Sequence, residues 1–318
     1  MPQVTVIVPT LRALAWLPRC IEALRAQTWH DFEVIVIDNA STDGTSAWLA
    51  QQADLRAIRN DINTGFAAAC NQAIHASDAP MLALLNDDAF PEPDWLAALV
   101  ARMRTPDMYK IGSCASLMLF ADAPDIVQSA GICMDRAGIA WDRFAGGPVT
   151  SARTLAPANI FGASGGAALY RRTMLNEIGL FDERFFMYLE DVDLAWRAQR
   201  AGWQCAYVPA ARVLHQTSAT SIEGSPFKNR LLGRNKLWMC AKNAPLSTWP
   251  VIAYYDLLAV FWAGLARNEW SHAHGRIEAS KRLREFRRSN KAGTAAVPYS
   301  PLAWPWRVPA RMTNSSDT

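Results

Sequence analysis

Across the first hundred residues, short apolar runs alternate strictly with segments of helical spacing, and this alternation limits the fold more than any other feature of the chain. Val4–Val8, Phe32–Ile37, Arg56–Arg59 and Met81–Leu85 have the length and composition of strands. Between them, Leu17–Gln27, Thr45–Gln52 and Phe66–Ala76 place apolar residues on one helical face. Such a succession demands right-handed crossovers, so the expected fold is α/β, with a mostly parallel, doubly wound central sheet flanked by helices.

Ligands of such sheets bind beyond the carboxyl ends of the strands. The residues found there are polar or acidic: Pro9-Thr10, then Asp38–Gly44, then Asn60–Gly65, then Asn86-Asp87-Asp88. Asp87 and Asp88 leave an apolar strand. They suit either an octahedral Mg²⁺ or Mn²⁺ completed by phosphate oxygens, or a turn with an Asp cap before Pro91. Asp38 reads as a ligand-binding acceptor and Asp43 as a helix cap. Asn63, Thr64 and Gly65, with Asn71 downstream, form either an αL turn or an anion site at a helix N-terminus. No G-x-G-x-x-G follows the first strand, which argues against a dinucleotide oxidoreductase, and Gly162, Gly165 and Gly166 precede a strand-like segment instead.

Beyond Pro91 a helix is expected over Trp95–Met103, and the stretch 105–159 reads as strands and mobile loops over one edge of a site. Further on, FDERFFMYLEDVDLAW sets Glu190, Asp191 and Asp193 among aromatic residues, where ionised carboxylates are costly unless paired, metal-bound or kept for proton transfer. The helix expected over Asp193–Ala201 leaves Asp191 or Asp193 as its cap, with a carboxylate free to take a proton. A short strand, Cys205–Val208, precedes Pro209. His215 follows in RVLHQTS, either as a satisfied core residue or as a third ligand to a metal.

A net charge of +3 with dispersed acidic residues excludes a general nucleic-acid binder. The six cysteines are scattered without metal-ligand spacing and read as buried free thiols in a reducing compartment. With no leader pattern before VTVIVP, the expected location is cytoplasmic.

The ordered set VTVIVPT, VIVIDNASTDGT, NTGFAAACNQAI, LLNDDAF, SGGAALYRR, GLFDERFFMYLEDVDLAWRAQRAGW and VPAARVLHQTSAT resembles the family 2 glycosyltransferases. It is most similar to a bacterial rhamnosyltransferase-like branch that builds cell-surface polysaccharide. The resemblance runs from about Val4 to Lys242 and implies the Rossmann-like GT-A fold. It also implies inverting transfer from a nucleotide-sugar donor, dTDP-rhamnose or a UDP-sugar, to a glycan or lipid-linked acceptor. Pro9, Thr10, Asp38, Asn63, Gly65, Asn71, Asp87 and Gly165 would contact the donor. Asp88 and His215, with Asp87 beside the ribose or metal, would hold Mg²⁺ or Mn²⁺. Asp191 would be the base and Glu190 its neighbour toward the acceptor. Asn86 stands where a strict D-x-D motif has its first Asp, and Asp87 stands where this branch often has Pro. The other readings weighed are a sugar-phosphate nucleotidylyltransferase, for which PTLRALAWL lacks the glycine-rich loop, and a catalytically silent nucleotide-sugar-binding scaffold.

The expected organisation is a catalytic domain over 1–240, with a nucleotide half to about 105 and an acceptor half over 106–240, then a helical extension over 241–318. Trp249–Leu265 is apolar apart from Asp256, and Arg276–Lys291 is basic. That pattern fits peripheral contact through 249–291 with anionic lipid at the inner face of the plasma membrane, or packing on the catalytic domain or on a second copy in a homodimer. The stretch 292–318 reads as loosely ordered.

Overall fold

In the computed structural model the residues described are 1–106, 110–153, 159–216, 224–266, 268–289, 293 and 295–302. The N-terminal half alternates as the sequence demands: β1 (Val4–Thr10), α1 (Leu17–Arg25), β2 (Phe32–Asp38), α2 (Thr45–Leu49), β3 (Arg56–Arg59), α3 (Phe66–His75) and β4 (Met81–Leu85). A short β5 (Ala89–Pro91) then leads into α4 (Trp95–Arg104). The next segment holds β6 (Ile111–Phe120), β7 (Ala123–Ser129), β8 (Ile132–Met134), β9 (Ala140–Asp142), α5 (Val149–Arg153) and β10 (Asn159–Ile160). It is followed by β11 (Ala167–Arg171), α6 (Arg172–Ile178), α7 (Glu190–Arg200) and β12 (Gln204–His215). The described chain finishes with α8 (Pro226–Asn243), α9 (Trp249–Phe261), a π-helical turn at Trp262–Ala266, α10 (Ser271–Ser280) and α11 (Leu283–Arg288).

The main sheet runs β10-β12-β6-β11-β4-β1-β2-β3. All of these strands share one direction except β10 and β11, so the sheet is mostly parallel. β1 and β4 sit at its centre with every residue of β4 buried, and the first hundred residues bring their strand ends to one edge.

Two expectations are corrected. The segment after residue 105 does supply strands beside the cavity, but not only at an edge: β6 is a ten-residue core strand, buried at all but its last position, between β11 and β12. Covered on both faces, it shows no alternation of apolar and polar residues. Likewise β12 does not stop before Pro209 but continues to His215. Its register with β6 shifts between Val208 and Arg212, so Pro209, which has no N–H to give, falls in the irregularity.

The C-terminal helices close over the end of the sheet that carries α7. Phe185, Trp196, Trp238, Met239 and Phe286 form a shared core, with Trp238 stacked on Phe286 at 4.6 Å. α8 runs through the boundary expected near residue 240, so the helical layer starts at Pro226 rather than at 241. The expected loose tail lies outside the described residues from 303 onward, as do Lys291 and residue 292.

Candidate active site

A cavity of about 970 Å³ opens at the carboxyl ends of β1 and β4 and is roofed by the segment before α7 and by α8. Pro9, Thr10, Asn63, Gly65, Asp87, Asp88, Gly165, Glu190, Asp191 and His215 all line it. Residues far apart in sequence are brought together because β4, β11 and β12 deliver their ends to one place.

His215 ends β12, and its Nδ1–H donates to Gln128 Oε1 (2.7 Å), which orients the ring with Nε2 toward the cavity. Nε2 lies 2.8 Å from Asp88 Oδ1 and 3.2 Å from Asn86 Nδ2. Two cis ligands of an octahedral Mg²⁺, each at about 2.1 Å, would be about 3 Å apart, so the Asp88–His215 pair fits a shared divalent cation. Among the described residues no three His, Cys, Asp or Glu side chains group as a metal cage. Such a cation would therefore complete its shell from a ligand and water, as Mg²⁺ does with phosphates. Asp87, next to the pair in sequence, turns toward β1. Its Oδ2 faces the N–H of Leu11 (3.3 Å) on the β1 side, and burial together with Asp88 pushes its carboxyl up to about 7.

Asp191 sits in the first turn of α7. Its Oδ2 accepts from the N–H of Gly165 (2.9 Å) and its Oδ1 from the N–H of Val192 (2.8 Å). Burial nevertheless raises it above the usual carboxylate range. Glu190 is held well above that range by burial and by Asp191, and its Oε2 is buried without a hydrogen-bond partner. The Ser164-Gly165-Gly166 turn couples the two halves of the cavity: Gly165 N–H holds Asp191, and Gly166 carbonyl accepts from Asn86 N–H (2.9 Å). One residue step thus sets the spacing between the base candidate and the Asn86–Asp88 turn.

Asp193 is not the cap expected. It is fully buried at the centre of an ion cluster, with Arg197 Nε and Lys242 Nζ each 2.9 Å from Oδ2 and Asn243 donating to Oδ1 at 2.7 Å. Although burial opposes it, Arg197 and Lys242 hold Asp193 below its usual value. Leu189 instead occupies the cap position of α7, in the left-handed region.

The segment leading into Asp191 is strained. Phe186, Tyr188 and Leu189 have φ of 67°, 70° and 66°, which typically costs about 1–3 kcal/mol per residue unless the surroundings enforce it. Asn235 of α8 enforces it: its fully buried amide donates to the carbonyls of Phe185, Met187 and Tyr188 at 3.0, 2.9 and 2.8 Å. Replacing Asn235 with Ala removes the donor to the Met187 and Tyr188 carbonyls, while the Phe185 carbonyl keeps Arg234 and Met187 N–H, and should lower unfolding free energy by about 1–3 kcal/mol. Urea unfolding of the variant beside the wild type measures this, and an unchanged midpoint would remove the clamp from the account.

Two of the sequence-predicted donor residues do not reach the cavity wall. Asn71 spends its amide on the N–H and carbonyl of Phe181 and on Glu183 Oε1, tying α3 to the segment before α7. Asp38 accepts from Ser41 N–H and Ser46 hydroxyl, bracing the loop after β2. The N-terminus of α3 is also less open than an anion site requires, because Ala67 N–H already donates to Phe186 carbonyl (3.2 Å). Gly65 permits that approach: a Cβ there would meet Phe186 at 2.5 Å, and its φ is 87°. Sequence reasoning missed Asn39, Gln128 and Lys228. Asn39 binds Asn63, Thr64 and Asn60 into one network, and buried Lys228 brings a cation to the cavity wall. The unusual number of Lys and Asn residues along α8 was the only signal for the last.

The sequence model of the family described as "Glycosyl transferase family 2" matches residues 5–179. The chain is 31% identical over 226 residues to the N-acetylglucosaminyl-diphospho-decaprenol L-rhamnosyltransferase of Mycobacterium tuberculosis, covering 63% of this chain and 71% of that protein. It is 30% identical over 230 residues to the O-antigen biosynthesis protein RfbC of Myxococcus xanthus, covering 69% of this chain and 18% of that one. Among solved structures, a mannosyltransferase from Pyrobaculum calidifontis in complex with GDP-Man and Mn²⁺ shares the fold. The TM-score is 0.55 at 20% identity, over 91% of this chain and 84% of that one.

Proposed function

The chain belongs to glycosyl transferase family 2, a glycosyltransferase of GT-A fold that transfers sugar from a nucleotide donor, and from that premise we propose an inverting, metal-dependent reaction. The donor is dTDP-rhamnose or a UDP-sugar, and the acceptor is a hydroxyl of a lipid-linked or cell-surface glycan. The observation that carries this reading is the pairing, across one Gly-Gly turn, of Asp191 with the Asp88–His215 pair.

Asp191 takes the proton of the acceptor hydroxyl. Its two oxygens are aimed by backbone N–H groups, and its raised pKa strengthens it as a base. Asp88 and His215 would hold Mg²⁺ or Mn²⁺, which would supply charge stabilisation to a diphosphate leaving group. Lys228 adds a fixed cation on the same cavity wall. Pro9, Thr10, Asn63, Gly65, Asp87 and Gly165 receive the donor, while Asp38 and Asn71 act one step back by bracing the loops that do. Glu190, with its unpartnered oxygen, meets the acceptor sugar. The relative named for transfer to N-acetylglucosaminyl-diphospho-decaprenol supports a lipid-linked acceptor and rhamnose as the donor sugar.

The C-terminal layer supports work at the cytoplasmic face of a membrane. Leu246–Leu265 is long and apolar enough to cross one, and much of it is exposed, including Leu246, Tyr254, Leu257, Phe261 and Leu265. Asp256, however, is pinned by Lys236 Nζ at 3.0 Å and by Arg276, which ties α9 down along the protein. Lying on the surface therefore suits α9 better than spanning. Part of the basic stretch serves the fold: Arg276 pairs with Asp256, Arg282 with Glu285, and Arg287 donates to Ala244 carbonyl.

Thermal unfolding with UDP-, dTDP- and GDP-sugars, each with and without Mn²⁺, tests the donor site. At a ligand concentration 100 times Kd the expected stabilisation is about 2.7 kcal/mol, seen with Mn²⁺ and lost on chelation. Absence of metal-dependent stabilisation by all of them would contradict the proposal.

A further inference from the structure

Beside the main cavity lies a smaller annex of about 260 Å³, walled by the β8–β9 turn, α8, the end of α9 and α10. The two share Ala140, Leu189, Leu232 and His272, so the annex continues the main cavity. Its volume is below that of a whole small-molecule site, which suits a segment of a ligand seated in the main cavity.

The chemistry of its walls is divided. Ile139, Ala259, Trp262 and Ala263 make one side apolar. Every ionisable side chain that lines it is basic: Lys236, His272 and Arg276. The carboxylate that pairs with two of them, Asp256, is buried behind the wall. Lys236 gives one of its three N–H donors to Asp256, which leaves others for a ligand. Burial and neighbouring Arg276 push His272 down to about 4, so at neutral pH it is an uncharged donor or acceptor. The main cavity, by contrast, carries the carboxylates Asp87, Asp88, Asp142, Glu190 and Asp191. An anionic group belongs at the basic wall of the annex.

Outward from the annex, α9 presents Tyr254, Leu257 and Phe261 at 57–60% exposure, with Leu265 beyond them at 76%. We propose that the annex binds the phosphate and first hydrocarbon unit of a lipid-phosphate acceptor. Lys236, His272 and Arg276 hold the phosphate, Ala259, Trp262 and Ala263 line the start of the chain, and the chain leaves along the exposed face of α9. This rests on the glycosyltransferase reading only in taking the lipid for the acceptor. The binding itself can be measured without transfer.

The test is calorimetric binding of farnesyl phosphate to the full chain, with farnesol and inorganic phosphate as controls. Arg276→Gln weakens the basic wall, and Ala259→Phe fills the apolar one from a half-buried position while removing no member of the ion cluster. The expected result is farnesyl phosphate binding that each variant weakens at least tenfold, with farnesol and inorganic phosphate both much weaker. Mn²⁺-dependent stabilisation by the nucleotide sugar should be unchanged in both variants. It serves as a check of folding and as a separate test of the donor site. Loss of that stabilisation in the wild type would overturn the donor reading alone. The annex proposal is overturned if farnesyl phosphate fails to bind, if farnesol binds as tightly, or if Ala259→Phe leaves the affinity unchanged.

Discussion

Asp191→Asn is expected to lower kcat by about 10²–10⁴-fold, the usual range for loss of a positioned general base, while nucleotide-sugar affinity stays within twofold. The substitution is nearly isosteric and keeps an oxygen for the Gly165 N–H, so the turn between base and metal pair should survive. The wild-type pH profile follows from the same group. The base works ionised, and burial raises its pKa above the ordinary 3.8. Activity is therefore full above that raised pKa and falls as pH drops through it, placing the acid limb of kcat/KM above the usual carboxylate range. In Asp191→Asn the residual rate should lose that limb. Steady-state kinetics across pH decides the matter. A variant with wild-type kcat would move the base to Glu190, whose carboxyl is also raised by burial but has no backbone N–H aiming its Oε2.

The second large effect is expected at Asp88. Asp88→Ala should abolish the Mn²⁺-dependent part of donor stabilisation and lower turnover roughly a thousandfold or more, since metal stabilisation of a departing phosphate supplies several kcal/mol. The melting temperature without nucleotide serves as the control for folding. A graded companion comes from behind the imidazole. Gln128 accepts from His215 Nδ1–H, and Gln128→Leu should weaken apparent metal affinity about 10–100-fold, the usual cost of losing such a support. Metal titration of donor-dependent stabilisation reads both. Equal responses in wild type and Asp88→Ala would place the cation elsewhere.

Much of the nucleotide-side fold was legible because each element there carries its own local pattern. Arg56–Arg59 and Met81–Leu85 form strands with the bounds read from the sequence, and the helices between them differ only at their ends. β6 was not legible, since IGSCASLMLF is rich in small residues and buried on both faces, which leaves no period to read. At the site, the residues whose type announces chemistry, Asp87, Asp88, Glu190, Asp191 and His215, do converge on one cavity. Asp193 did not keep its expected role because its partners Lys242 and Asn243 lie about fifty residues downstream, on a helix whose packing no local pattern encodes. Asn235 escaped notice for the same reason. Its importance comes from three carbonyls within and beside the strained segment that it meets only in the folded chain.

In the proposed reaction Asp88 and His215 would hold a metal-bound diphosphate while Asp191 faces the acceptor side of the same sugar. Anomalous diffraction from crystals of Asp191→Asn grown with the nucleotide sugar and Mn²⁺ tests it most directly. The predicted result is a manganese peak bound by Asp88 Oδ1, His215 Nε2 and the diphosphate, with the side chain at position 191 on the opposite face of the anomeric carbon. A peak away from Asp88 and His215, or position 191 on the same face as the diphosphate, would contradict it.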